Sequence, residues 1–328
     1  VYQLKCYKLP EAAPQSLGKA MVNILPIEPE ETINTVMPMP EDESSWADLN
    51  VMFATASGNV RRNNLSDFTN IKRNGKIAMK LQDGDDLVGV LPCSDEDDVL
   101  MATRNGKAIR FAANAVRVFR GRDSTGVRGI RLLGGDRVVS MSIIADEDNE
   151  FILSVTENGY GKRTPVNDYR RSGRGGQGVA NIETSKRNGQ VMASFAVVEE
   201  DQLMLVTNMG QVIRIRVHGG EGDSIRIASR KTQGVRLFDV ADDESEKVVS
   251  AGLVRETDSD DDDDHEDNHT EGHEGDNNGD QAGDETAETA ANAPNAPAPN
   301  INEGQDDAAD TPSDADNASN QADNEDNQ

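Results

Sequence analysis

Four arginines, Arg62, Arg110, Arg163 and Arg214, each stand four residues after a glycine (Gly58, Gly106, Gly159, Gly210). Each of those glycines follows a threonine by three residues (Thr55, Thr103, Thr156, Thr207). A guanidinium is permanently charged and presents a planar fork of donors suited to phosphate oxygens. Repeated at one place per copy, such groups form a belt, the electrostatic footprint of a phosphate backbone. Further bases cluster in a longer loop of each copy: Lys72, Arg73 and Lys76; Arg117, Arg120, Arg122 and Arg128; Arg170, Arg171 and Arg174; Arg230 and Lys231. The expected phosphate-facing set is the four +4 arginines with Arg73, Lys76, Arg128, Arg170, Arg171, Arg174, Arg230 and Lys231. No base-reading constellation accompanies them, so the expected contact is positional. Two blander readings compete. A lone arginine on a strand face is ordinary solvated surface, and the +4 arginines could instead pair with acidic turns and hold the fold together.

Other chemistries find little support. The run Arg170–Gly178, RRSGRGGQG, lacks the Gly-Lys-Ser/Thr opening a helix that a nucleotide-phosphate cradle needs, and it precedes a strand. As a nucleic-acid contact it is plausible, with glycines admitting the backbone to phosphates and arginines pairing with them; a flexible basic loop of no special role is the alternative. His218 is isolated in a glycine-rich loop. His265, His269 and His273 have i, i+4, i+8 spacing, but their Asp, Asn and Gly neighbours argue against the helix that would make them a metal-binding face. No Ser/His/Asp or Cys/His set and no poised carboxylate pair appears. The expectation is a segment without catalytic residues, metal or cofactor.

The elements that must position these bases repeat about every fifty residues. Gapless alignment of VMFATASG from Val51, VLMATRNG from Val99, ILSVTENG from Ile152 and LMLVTNMG from Leu203 gives a buried strand and a tight glycine turn. A second strand alternating apolar and basic residues follows, then the polar loop. A glycine-led third strand comes next (GKIAMKL from Gly75, GVRGIRL from Gly126, GVANIET from Gly178, GVRLFDV from Gly234). Acidic turns at Asp83–Asp86, Asp136 and Asp242–Asp243 lead to a fourth. The opening residues read as a fifth, incomplete copy, with GKAMVNIL from Gly18 and INTVMPM from Ile33 in register. Four short strands per copy without a long amphipathic helix predict an all-β radial array of about fifty-residue blades, one domain over residues 1–256.

Charge divides the chain. The formal net charge is -27, but residues 258–328 hold 24 acids and no Lys or Arg, leaving 36 acids against 33 bases before them. The whole-chain balance therefore says nothing against a polyanionic partner for the body. Residues 257–328 hold one large aliphatic residue, Ile301, too little apolar surface to offset about 1–2 kcal/mol per residue of ordering entropy, so a disordered acidic tail is expected. Cys6 and Cys93 suit free thiols in a reducing cytosol. No apolar run approaches the roughly 18 residues of a membrane span, no signal peptide opens the chain, and Val1 suggests a fragment.

The stretch VYQLKCYKLPEA with GKAMVNILP, and NGKIAMKLQDGDDLVGV, TGVRGIRLLGGDRVVS, NGYGKRT and TQGV, resemble blades of the C-terminal domain of bacterial DNA gyrase A proteins, over essentially residues 1–255. The resemblance implies a β-pinwheel, a propeller variant whose blades exchange a strand. It implies a disc that wraps duplex DNA around its rim, while other parts of an ATP-dependent type II topoisomerase introduce negative supercoils. It implies as partners the gyrase B protein and a second gyrase A protein in an A2B2 heterotetramer, with ATP and Mg2+ used elsewhere, and a cytoplasmic, nucleoid-associated setting. The family's Q-R-R-G-G-K-G box belongs to a first blade absent here; Arg174–Gly178 resembles it but carries Gln177 where the box has lysine. The nucleophilic tyrosine and Mg2+ site belong to an N-terminal region this segment lacks. Alternatives are the disc of the related topoisomerase IV protein, a propeller serving protein interaction, or a body that only scaffolds an active acidic tail.

Overall fold

The computed structural model describes residues 1–12, 16–28, 31–121, 123–219, 224–240 and 245–254. The first repeat contributes β1 (Asn50–Thr55), β2 (Asn59–Asn64) and β3 (Leu87–Cys93). The second contributes β4 (Asp98–Thr103), β5 (Lys107–Ala112), β6 (Val127–Arg128) and β7 (Val138–Ile144). The third adds β8 (Phe151–Thr156), β9 (Tyr160–Pro165), β10 (Val179–Ala180) and β11 (Val191–Val197). The fourth adds β12 (Gln202–Thr207), β13 (Val212–Arg216), β14 (Val235–Arg236) and β15 (Val248–Val254). They form four small antiparallel sheets in a propeller-like arrangement, ordered β3-β1-β2-β6, β7-β4-β5-β10, β11-β8-β9-β14 and β15-β12-β13.

The recurring Thr-x-x-Gly is the hairpin. In each copy the glycine N–H donates to the threonine carbonyl, at 2.9, 3.0, 3.1 and 3.0 Å, and the glycine has φ between 76° and 87°. The hydroxyls of Thr55, Thr103 and Thr207 accept the amide four residues on, at 3.3, 3.2 and 3.2 Å. Threonine thus serves the preceding strand by its β-branched shape and the turn by its oxygen.

The short strands β6, β10 and β14 each leave their own repeat and pair with the outer strand of the one before: Val60 with Val127, Ala108 with Val179, Gly161 with Val235. This is the strand exchange expected from the resemblance. The glycines that lead these strands, Gly126, Gly178 and Gly234, have positive φ, and a Cβ on Gly178 would lie 2.4 Å from the Ala108 carbonyl. Only a residue without Cβ allows that approach. Two further bonds recur at each junction. Gly58, Gly106 and Gly159 carbonyls accept from Gly129, Asn181 and Leu237 at 2.9, 2.8 and 2.9 Å. Ala56, Arg104 and Glu157 carbonyls accept from Val138, Val191 and Val248 at 2.9, 2.9 and 2.8 Å.

Apolar cores fill the spaces between neighbouring sheets. Met52, Val60, Met101 and Phe111 lie between the first and second, Leu100, Ile152 and Tyr169 between the second and third, and Leu153, Leu205 and Phe238 between the third and fourth. Because neighbours cover both faces, the first strand of a repeat reads as a near-continuous apolar run instead of an alternating one. The outer strand β13 of the fourth sheet has no exchanged partner among the described residues, and its burial drops accordingly: Val212 is 58% exposed, where the interior of β2 is buried.

The described residues carry four sheets where the sequence suggested five blades. Residues 18–24 make a short 3-10 turn (Met21–Asn23), with Leu17 99% exposed and nothing within 4 Å of where a Gly18 Cβ would lie. The glycine-led strands β6, β10 and β14 each form on another repeat's outer strand, and among the described residues none is presented to Gly18. Met37 and Met39 instead pack with Trp46, Phe53 and Phe68 on the free face of the first sheet. Val1 and Lys76 exchange both backbone bonds, at 2.8 and 2.9 Å, in the register of the Val60–Val127 pair, and the 3-10 turn Cys6–Lys8 follows as Leu65–Phe68 follows β2. The opening residues therefore repeat the form of an outer strand and its turn.

Candidate nucleic-acid interface

The loop after each outer strand lies along the outer strand of the preceding sheet. Single parallel bridges mark the contact: Arg62 with Val118, Arg110 with Arg171, Arg163 with Ile227. Phe119, Ser172 and Ala228 donate to the carbonyls of those same three arginines at 2.8, 2.9 and 2.9 Å. These loops carry most of the bases, so the fold itself makes them the outermost layer of the disc.

The +4 arginines point elsewhere. Arg62, Arg110 and Arg163 are 4%, 6% and 3% exposed. Arg62 Nη1 lies 2.5 Å from Asp95, Arg163 Nη1 3.1 Å from Glu199, and Arg110 meets both Asp98, at 2.7 Å, and Glu147. Asp95, Glu147 and Glu199 sit in the turns that close each sheet and lead to the next. Burial alone would lower the Arg110 pKa, but the Glu147 and Asp98 carboxylates reverse that and hold it above its ordinary value. The sequence placed these three arginines facing a phosphate; the structure places them inside, as clamps between a sheet and its closing turn. Arg214, on the uncovered β13, is exposed and donates to Gln202 at 2.5 Å.

The loop bases divide by partner. Arg73, Arg128, Arg170 and Lys231 are exposed and carry no ion pair among the described residues. Lys72, Arg117 and Arg120 are exposed beside them, and Arg122 lies outside the described residues. Lys76 is half-buried, with Nζ on the Asp67 carbonyl at 2.5 Å, and Arg230 is half-buried, with Nη1 on the Ala180 carbonyl at 3.0 Å. Arg171 is an exposed base that reaches back 2.8 Å to the buried Asp98. Arg174 donates to the Ala115 and Arg128 carbonyls, each at 3.0 Å. Within Arg170–Gly178, then, Arg171 and Arg174 tie the loop down, Gly178 serves the approach to Ala108, and Arg170 faces outward.

One periodic set joins the expected Arg170 to two arginines outside the expected set. Arg117, Arg170 and Arg226 are all exposed, and each immediately precedes the residue bridged to a buried +4 arginine. Arg117 and Arg170 stand at one spacing after their own +4 arginine. The fourth copy has a longer loop, so Arg226 slips out of that register and only the backbone bridge reveals its equivalence.

Beneath the rim the supports are also cationic. Arg61 donates Nη1 to the Ser124 carbonyl at 2.6 Å, and Lys162 donates Nζ to the Ser229 carbonyl at 2.5 Å, both side chains fully buried under the loop they hold. Burial, and then Arg230, lowers the Lys162 pKa to about 8. Two shallow depressions, of about 460 and 540 Å³, lie by Arg236 and Phe238 and by Tyr2 and Lys76; in the second the Tyr2 hydroxyl donates to Glu31 at 3.2 Å. Among the described residues no group of His, Cys, Asp and Glu is placed to hold a metal, and no helix is long and apolar enough to cross a membrane. The two acidic residues Asp242 and Asp243, the three closely spaced histidines and the acidic tail fall outside the described residues.

The family model of the DNA gyrase C-terminal domain, a β-propeller, matches residues 49–94, 97–145, 150–197 and 201–255, one match per sheet. The DNA gyrase A protein of Rickettsia bellii is 40% identical over 306 residues, covering 79% of this chain and 33% of the relative. Its Escherichia coli counterpart is 42% identical over 245 residues, covering 75% and 27%. This chain thus spans about a third of the length of the curated relatives it matches. Among solved structures, the C-terminal domain of DNA topoisomerase IV superposes with a TM-score of 0.66 at 25% identity, covering 76% of this chain and 74% of that one. The gyrase A C-terminal domain gives 0.62 at 25% identity, covering 72% and 74%.

Proposed function

The chain belongs to the DNA gyrase C-terminal domain family, and from that membership and the rim geometry we propose that its body binds and bends duplex DNA. The observation that carries this is the outward-facing arginine Arg117, Arg170 and Arg226, one per covering loop, joined by Arg73, Arg128 and Lys231. The buried arginines Arg62, Arg110 and Arg163 shape the disc and leave the phosphates to the loop layer. Smooth bending of a 20–30 bp site by 40–90° costs on the order of 1–6 kcal/mol, so contacts from several sheets must combine to offset it.

In the whole protein, this wrapping feeds an ATP-dependent type II topoisomerase that introduces negative supercoils. The gyrase B protein and a second gyrase A protein complete an A2B2 assembly in the cytoplasm, on the nucleoid. ATP and Mg2+ act in those other parts; this segment carries no catalytic residue. The topoisomerase IV disc is the alternative reading, and the gyrase names of the 40%-identical relatives favour gyrase.

The test is the salt dependence of duplex binding by the chain. Two phosphates per sheet give roughly eight contacts, for which affinity falls by about 10³–10⁵ between 50 and 200 mM salt. A binding constant that holds steady across that range overturns the proposal.

A further inference from the structure

Tyr160 opens β9 and is paired across the backbone with Arg236 of the exchanged strand β14. Its ring is 6% exposed, yet two guanidiniums meet at its phenol oxygen: Arg187 Nε and Arg236 Nη2, each at 3.3 Å. The same groups lie over the ring, 4.8 and 5.6 Å from its centroid. Arg236 is balanced in part by the exposed Asp239 at 2.7 Å, and Arg187 carries no ion pair among the described residues.

Guanidinium groups only donate, so the phenol oxygen accepts from both and its own O–H is left to donate. Three donor groups therefore meet here, and the exposed Asp239 is the one carboxylate paired with them among the described residues. The side-chain hydrogen bonds from Arg187, then from Arg236, hold the phenol pKa below its ordinary value. A tetrahedral oxyanion is the ligand that such a set accepts. The equivalent pairs at the other junctions, Asn59 with Arg128 and in sequence position Lys107 with Ala180, lack both the phenol and the second guanidinium.

We propose that Arg187, Tyr160 and Arg236 form a discrete seat for one backbone phosphate of bound DNA, assembled when β14 lies on β9. This rests on the DNA-binding reading above and deepens it. The other rim bases slide along the backbone as a diffuse belt, whereas this seat fixes one phosphate and so sets the phase at which the duplex engages the third and fourth sheets.

The test uses the full chain with ring-labelled tyrosine, whose four signals are few enough to assign with a Tyr160→Phe variant. Adding a 30 bp duplex at low salt is expected to move the Tyr160 signal and to raise its phenol pKa, as the phosphate takes up the guanidinium charge. Arg187→Gln with Arg236→Gln should lower the slope of log affinity against log salt by about 0.9, one phosphate. Tyr160→Phe keeps both cations and should leave the slope unchanged while weakening binding about tenfold, as for a hydrogen bond to a charged group. Inorganic phosphate is the second probe; a response to it without one to the duplex overturns the DNA assignment. Tight, salt-dependent duplex binding with a silent Tyr160 and an unchanged slope in the double variant overturns the seat alone. Absence of salt-dependent binding overturns the wider reading instead. The wild-type titration stands even where a variant folds poorly.

Discussion

Arg110 and Asp98 face each other across the second sheet, Nε 2.7 Å from Oδ2, with side chains 6% and 5% exposed. Arg171 from the next repeat closes on the other oxygen of the same carboxylate at 2.8 Å. One buried acid thus joins a sheet's own outer strand to the loop that covers it. Removing Arg110 leaves Asp98 only the exposed Arg171, so Arg110→Met should cost about 1.5–3 kcal/mol, the range of a lost hydrogen bond to a charged group. Urea unfolding measures it. A loss below about 1 kcal/mol, the range of an exposed ion pair, would return Arg110 to the set of surface bases.

Neutralising Arg117, Arg170 and Arg226 together should act oppositely. Their guanidiniums are exposed, so the melting temperature should hold, while the salt slope of DNA binding falls by roughly 0.9 for each phosphate no longer engaged. The weakening should be uniform across duplex sequences, because phosphate contacts carry no base information. Titrations at several salt concentrations, paired with melting curves, separate this set from the buried clamps.

Lys162 predicts an alkaline gain in stability. Its pKa is lowered to about 8 in the folded chain, from an ordinary value of 10.5, because burial opposes the charge. Between those values the unfolded chain holds the proton and the folded one releases it, so stability rises with pH; below about pH 8 both forms are protonated and the burial cost is fully present. A rise on the order of 1–3 kcal/mol between pH 8 and 10.5 is expected, the full linkage value being reduced by solvent screening near the rim. Lys162→Met should flatten that rise. Identical pH profiles for the two proteins would show that the proton does not leave Lys162.

Removal of residues 258–328 should tighten DNA binding at low salt. The segment brings 24 acids and no base. A polyanion joined covalently to a segment with exposed bases is expected to compete with DNA phosphates for them. Salt screens both partners, so the gap should close as ionic strength rises. Equal affinities at low salt, about 50 mM, would leave the tail a solubilising role.

The repeat, its hairpins and its ring-like assembly were legible in the sequence because Thr-x-x-Gly and the apolar runs are local signals. The direction of the +4 arginines was not. A periodic position marks one latitude of a sheet, but Arg62 and its equivalents sit on strands that the next repeat covers, and the covering loop is distant in sequence. Arg226 was hidden for a related reason: its equivalence to Arg117 lies in a backbone bridge, across a loop of different length. The Tyr160 cluster draws on three segments, so no single window contains it. The opening copy misled because its glycine-led motif is present while, among the described residues, no outer strand receives it.

Strand exchange also sets a timetable for synthesis. The covering contacts Arg61 to Ser124, Thr164 to Ala228 and Lys162 to Ser229 span 63, 64 and 67 residues. At about 5–20 residues per second, an outer strand leaving the ribosome waits roughly 3–13 s for its cover. Each blade is thus born with an open edge and is finished by its successor. A premature stop after the third repeat therefore damages two blades, deleting the fourth and leaving the third in the condition of β13.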